Sequence, residues 1–146
     1  MKRALILGAH PDDEIHMART IARLSSEGVH VTVAILTNGC EGYPRPELKD
    51  TIVATRAGEA ARCDKVLGIA RRVIMDNEDM ALTDDKPTVQ SLIQLIREER
   101  PEALFTHGPA DPHRDHRAAH AVSMSACFHA AEPVSRALGE PWRVPV

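Results

Sequence analysis

Two short stretches are the densest clusters of potential metal ligands in this sequence. One is His10-Pro11-Asp12-Asp13-Glu14, and the other is Asp111-Pro112-His113-Arg114-Asp115-His116. Two imidazoles and one carboxylate from separate segments, with a position left open for water, are a common set for a catalytic divalent metal. His10, Asp13 and His116 can supply that set. A metal so held brings the pKa of bound water to ~7 and polarises a carbonyl, which suits hydrolysis of an unactivated amide. The same chemistry needs a base. Asp12 stands beside Asp13 on what reads as a strand-to-helix turn, where neighbouring side chains point in different directions. His113 lies one helical turn from His116, shares its face and can donate to an oxyanion.

Each cluster also has a bland explanation. Carboxylates in the first turn of a helix complement its dipole, which would account for Asp12-Asp13-Glu14. His113, His116 and His120 can form a solvated face, and His116 with His120 is an i, i+4 pair able to bind metal without the first stretch. The elements that carry the two clusters decide between these readings. Ala4 to Gly8 is a continuous apolar run, the pattern of a strand buried on both faces. Apolar residues from Glu14 to Glu27 recur at helical spacing before Gly28. Val29 to Leu36 is a second strand, running into a surface loop from Asn38 to Pro46. Leu48 to Leu67 reads as a helix closed by Gly68, and Val73 to Met75 as a short strand. Thr83 or Asp84 caps a helix through Arg100, Glu102 to Thr106 is a fourth strand, and His113 to Ala130 a last helix.

Strands alternating with helices predict an α/β fold: a Rossmann-like three-layer αβα sandwich with a mainly parallel sheet. In the common doubly wound order 3-2-1-4, strands one and four are neighbours, and ligands bind at the carboxyl ends of the strands that flank this switch point. The two clusters follow those two strands. Their joint placement favours a single site over two unrelated decorations.

The whole composition is compatible with this. The chain has 146 residues, 43% hydrophobic and 27% charged, which suits one globular domain, residues 1–146, and argues against disorder. A net charge of -3 with scattered lysines and arginines provides no field for nucleic acid. No apolar run approaches a membrane span, and the first residues lack the pattern of a signal peptide. Three cysteines without a CxxC predict neither a disulfide framework nor a cysteine metal site, and point to the cytoplasm.

The string Ala9-His10-Pro11-Asp12-Asp13-Glu14, together with Asp111-x-His113-x-Asp115-His116-Arg117, resembles the LmbE/PIG-L family of zinc-dependent de-N-acetylases. Thr55-Arg56-x-x-Glu59, followed by Leu67-Gly68-Ile69, is similar to the family's intermediate signature. The resemblance runs from Ala4 to about Val122. It implies that His10, Asp13 and His116 hold Zn2+, with Fe2+ and other divalent metals also acceptable to such donors. It implies Asp12 as the general base that later protonates the leaving amine, and His113 as stabiliser of the tetrahedral intermediate. Asp115 would orient a histidine such as His113 through its other ring nitrogen. Arg56 would contact substrate oxygens at the mouth, with Glu59 positioning the helix or the arginine. The implied partner is a small N-acetylated amino sugar or conjugate.

Two features depart from the family pattern. Ile15-His16-Met17 stands where small residues are usual, and His16 reads as a surface residue more readily than as a substrate contact. Family members usually continue further, so the expectation is a single deacetylase-like domain without the usual C-terminal extension, either a minimal or truncated member or one whose missing cleft wall comes from a neighbouring subunit of a homo-oligomer. A lone Trp142 would serve as a core anchor or face such a partner. Three rival readings stand beside it: a truncated, non-catalytic metal- or partner-binding member, an iron(II) oxygenase with two histidines and one carboxylate, and a dinucleotide-binding domain. The first leaves Asp12 unexplained. The second does not call for a hydrolytic base on a parallel sheet, and the third lacks GxGxxG and would set carboxylates against a pyrophosphate.

Overall fold

Alternate residues of the first strand, β1 (Arg3–Gly8), go to opposite faces of the sheet, and both faces are apolar. In the computed structural model, which describes residues 1–145, Leu5 and Leu7 join one core cluster with Leu92, Ile96, Val122 and Ala126. Ala4 and Ile6 join a second, with Ile21, Val31, Val33 and Ile35. Burial on both sides requires helices on both sides, which is why the run carries no polar residue.

The sheet is parallel, with order β3-β2-β1-β4, as the alternation predicts. Its other strands are β2 (His30–Thr37), β3 (Arg71–Asn77) and β4 (Ala103–Phe105). The register pairs Arg3 with His30 through Gly8 with Ile35, and Ala4 with Ala103 through Ile6 with Phe105. The carboxyl ends of β1 and β4 therefore lie side by side. The helices are α1 (Ala18–Ser26), α2 (Ile52–Leu67), α3 (Lys86–Glu99) and α4 (Arg114–Ala131). Residues of α3 and α4 cover the Leu5 face, and α1 covers the Ile6 face. Trp142 packs on the α3/α4 cluster and donates its indole N–H to the Pro101 carbonyl at 2.9 Å, so it is a core anchor. No helix among the described residues is long and apolar enough to cross a membrane.

Helix starts depart from the sequence reading. The first helix is preceded by a 3-10 turn, Asp13–Met17, and α2 by another, Pro46–Thr51. The cap of α3 is Asp85, whose carboxylate accepts the Thr88 amide at 2.9 Å, in place of Thr83 or Asp84. Thr83 instead donates its hydroxyl to Asp85. At the amino end of the sheet, buried Glu99 accepts from Thr32 and Arg71, which ties charge down far from the carboxyl ends.

Candidate active site

The turn after β1 is tight because Asp13 folds back on it. Its Oδ2 accepts the amides of Ala9 at 2.8 Å and His10 at 2.7 Å. Gly8 makes this possible: a Cβ there would stand 2.9 Å from Asp13 Cβ and 3.0 Å from Ile35 Cδ1. The adjoining Glu14 turns inward, buried, to Arg72 Nη2 at 2.6 Å, and the same nitrogen lies 2.7 Å from Asp64. Asp12 is left exposed beside the cleft, so adjacent carboxylates face different ways, as the turn predicts. His16 is exposed.

Across the switch point, α4 brings its own groups to the turn. His113 is the N-cap of α4, its Nδ1 accepting the Asp115 amide at 3.1 Å. His116 Nε2 lies 3.3 Å from His10 Nδ1 and 3.3 Å from Asp13 Oδ1, while His10 Nδ1 lies 3.7 Å from Asp13 Oδ2. Behind the rings stand two carboxylates. Asp115, fully buried, approaches His10 Nε2 at 3.0 Å and accepts the Met80 amide at 2.7 Å. Asp111 lies 3.1 Å from His116 Nδ1, an ion-pair contact without hydrogen-bond alignment. The sequence reading paired Asp115 with His113. Here its carboxylate serves His10, because the start of α4 presents the Asp115 amide, not its side chain, to His113.

These contacts sort the tautomers, and with them the metal-binding capacity. Among the described residues, two groups have donor atoms within 4.8 Å of one another: His10, His113 and His116, and Asp13, His107 and His116. His113 accepts an N–H at Nδ1, so its Nε2 carries the proton and is a donor, not a ligand. His107 Nε2 faces the Asp13 carboxylate at 3.1 Å and must donate to it, which removes that nitrogen too. His10 Nε2 faces the Asp115 carboxylate and keeps the proton there, leaving Nδ1 bare. Both nitrogens of His116 face carboxylates, Nδ1 toward Asp111 at 3.1 Å and Nε2 toward Asp13 at 3.3 Å, and with the proton on the side of the nearer one Nε2 is bare, 3.3 Å from His10 Nδ1. Two facing lone pairs beside a carboxylate oxygen repel one another until a cation sits among them. The donor set of His10, Asp13 and His116 therefore fits a divalent metal.

The electrostatics agree. Burial alone would raise the Asp13 pKa, but the His107 hydrogen bond, the His10 amide and the neighbouring imidazoles outweigh it and hold the carboxyl at about 2. Asp111 is held below its ordinary value by the His113 amide first and by the His116 ring second. Both carboxyls are ionised wherever a metal would bind. The cleft above them has a volume of about 460 Å³. Arg56 stands on its wall, clamped by the Gly42 carbonyl at 3.0 Å and Glu59 at 2.9 Å, so of the two roles that the resemblance implies for Glu59 the contact is the one with the arginine.

The family model described as GlcNAc-PI de-N-acetylase, PIG-L, matches residues 5–127. The chain belongs to the PIG-L family. A 1D-myo-inositol 2-acetamido-2-deoxy-alpha-D-glucopyranoside deacetylase from Streptomyces scabiei is 33% identical over 172 residues, covering 97% of this chain and 53% of its own. The chain thus spans about half the length of such curated relatives. Among solved structures, N,N'-diacetylchitobiose deacetylase from Pyrococcus horikoshii superposes with a TM-score of 0.94 at 26% identity, over 99% of this chain and 58% of its own. GalB, the 4-carboxy-2-hydroxymuconate hydratase from Pseudomonas putida KT2440, superposes with a TM-score of 0.87 at 26% identity, over 98% of this chain and 62% of its own. Deacetylase and hydratase share this PIG-L architecture, so the reaction has to be argued from the site.

The structure brings together His10, Asp12, Asp13, Arg56, His113 and His116 around one cleft, with Asp115 beneath it. Sequence reasoning missed two groups in this PIG-L site. His107 had a signal: it lies two residues past β4 just as His10 lies two past β1, on adjacent strands. Asp79 had none. Its carboxylate accepts the Gly39 amide at 3.1 Å and the Glu41 amide at 2.9 Å, which fastens one wall of the cleft to the β3–α3 loop.

Proposed function

We propose that this chain carries the site of a zinc-dependent de-N-acetylase, a hydrolase that removes acetyl from an N-acetylated amino sugar or conjugate. One observation carries the reading: His10 Nδ1 and His116 Nε2 lie 3.3 Å apart, and His116 Nε2 lies 3.3 Å from Asp13 Oδ1, at a cleft that the exposed Asp12 lines. The substrate class rests on the relatives, which are named as deacetylases of a glucosaminyl inositol and of diacetylchitobiose. His10, Asp13 and His116 would hold the ion, and the same donors accept iron(II). Zinc supplies a Lewis acid that polarises the amide carbonyl and lowers the pKa of water to ~7.

The remaining steps belong to the chain. Asp12 takes a proton as water oxygen bonds to the acetyl carbon, and returns it to nitrogen as the C–N bond breaks, giving acetate and a free amine. His113, protonated at Nε2, donates to the oxygen that gains charge. Asp115 holds the His10 ring and tautomer. Arg56 binds substrate oxygens from the cleft wall. The unpaired cysteines Cys40, Cys63 and Cys127 suit a reducing compartment, and we assign the reaction to the cytoplasm.

Elemental analysis beside an amine-release assay on N-acetylglucosaminyl substrates tests the reading. The parent should carry near one equivalent of zinc and Asp13→Ala little. Asp12→Asn should keep the metal and lose ~10²–10⁴-fold in turnover. Metal loss in Asp12→Asn, or undiminished turnover, overturns the roles.

A further inference from the structure

We infer that His107 is a positioning residue that saturates one oxygen of Asp13, so that the carboxylate can meet a metal through Oδ1 alone. The inference rests on the proposed metal set of His10, Asp13 and His116. Asp13 Oδ2 receives the Ala9 amide at 2.8 Å, the His10 amide at 2.7 Å and His107 Nε2 at 3.1 Å. Two of these donors belong to the turn itself; the third, His107, comes from the side of the proposed ligand His116, on which its ring stacks, and covers the oxygen there. Oδ1 is in the opposite condition, facing bare His116 Nε2 at 3.3 Å. The Ala9 amide also lies 3.2 Å from His107 Nε2, but its shorter contact is with Oδ2. A bare Nε2 would set a second lone pair against that oxygen, so the nitrogen carries the proton.

The ring has little freedom to leave this position. It stacks on His116 with centroids 4.0 Å apart and planes 13° apart, so it turns only by sliding against a proposed ligand. Its backbone is held as well: His120 Nδ1 lies 2.8 Å from the His107 carbonyl and donates to it. His120, one turn beyond His116 on α4, is thereby engaged with the β4 loop and not with the metal. The consequence is a matter of coordination number. Three protein ligands of one atom each leave positions for water and for a substrate carbonyl, whereas a carboxylate bound through both oxygens would fill one of them.

The test uses the whole chain loaded with zinc or with cobalt(II), whose visible absorption weakens as coordination number rises. His107→Leu should lower zinc affinity by ~10–100-fold, measured by chelator competition, and weaken the cobalt bands. His107→Gln, which restores an N–H near the Nε2 position, should return both toward the parent. Parent-like affinity and bands in His107→Leu overturn the inference alone. A parent that takes up neither metal overturns the proposed metal set and this inference with it. Should His107→Leu fail to fold, imidazole 15N spectra of the parent still decide: the inference requires Nε2–H on His107 and Nδ1–H on His120, and Nδ1–H on His107 overturns it.

Discussion

Replacing Asp115 with asparagine should weaken metal binding by ~10–100-fold, equivalent to about 1.4–2.7 kcal/mol. The size follows from what asparagine keeps and loses. Its carbonyl oxygen can take the place of Oδ2, still accepting the Met80 amide now at 2.7 Å and still facing His10 Nε2 now at 3.0 Å. The His10 tautomer survives, and the negative charge that makes its Nδ1 a stronger donor is lost. The new NH2 group lands where Oδ1 now sits, a buried atom with no hydrogen-bond partner and 3.9 Å from Arg114 Nε. Two unsatisfied N–H groups there should cost about 1–3 kcal/mol of folding stability. Affinity and stability must therefore be read separately, by chelator competition at a temperature where both proteins are folded and by urea denaturation of the metal-free forms. Asp115→Ala serves as comparison, because it also frees the His10 ring to turn and should bind metal more weakly still. Parent-like affinity in Asp115→Asn, with only its stability lowered, would refute the reasoning and reduce Asp115 to a structural role.

Gly8→Ala should displace Asp13, lowering stability by about 1–3 kcal/mol and metal uptake with it. Gly108→Ala, where an added Cβ meets nothing within 4 Å, is the control and should leave the folding energy almost unchanged. Arg72→Met strands the buried Glu14 carboxylate and should cost about 3–5 kcal/mol in urea denaturation. Adding Glu14→Gln should recover much of that loss, and a double variant no better than the single would show that the pair is not the cause. In the metal-free protein the Asp13 pKa is held at about 2 against an ordinary 3.8, so its folded-state value is depressed. It therefore stabilises the fold above pH ~4 by about 2 kcal/mol, a contribution lost as the pH falls toward 2. Asp13→Asn should flatten that part of the acid denaturation curve, and an unchanged slope would count against the assignment.

How much of this was readable in the sequence differs from group to group. The Ala4 to Gly8 run placed β1 at the centre of the sheet because only a strand covered on both faces can be apolar throughout. Arg56 and Glu59 were readable only through the family signature, and they meet because an i, i+3 pair shares one helical turn. The start of the first helix was not. Glu14 was expected to begin an ordinary helix, yet the Asp13 side chain returns to the Ala9 and His10 amides, and the backbone runs through a 3-10 turn before α1 begins at Ala18.

The residue types at the end of β1 and the start of α4 were determined by the sequence alone. Periodicity and punctuation are local, and the order that joins the two ends entered as the common doubly wound arrangement, which the packed sheet adopts. Which nitrogen of each histidine is bare was decided only by the tertiary structure. His10 takes its orientation from Asp115, 105 residues away, and Asp13 its third donor from His107, 94 residues away. A hydrogen bond depends on a few tenths of an ångström. Spacing along the chain carries no such information about groups that meet only when two strands and a helix have packed.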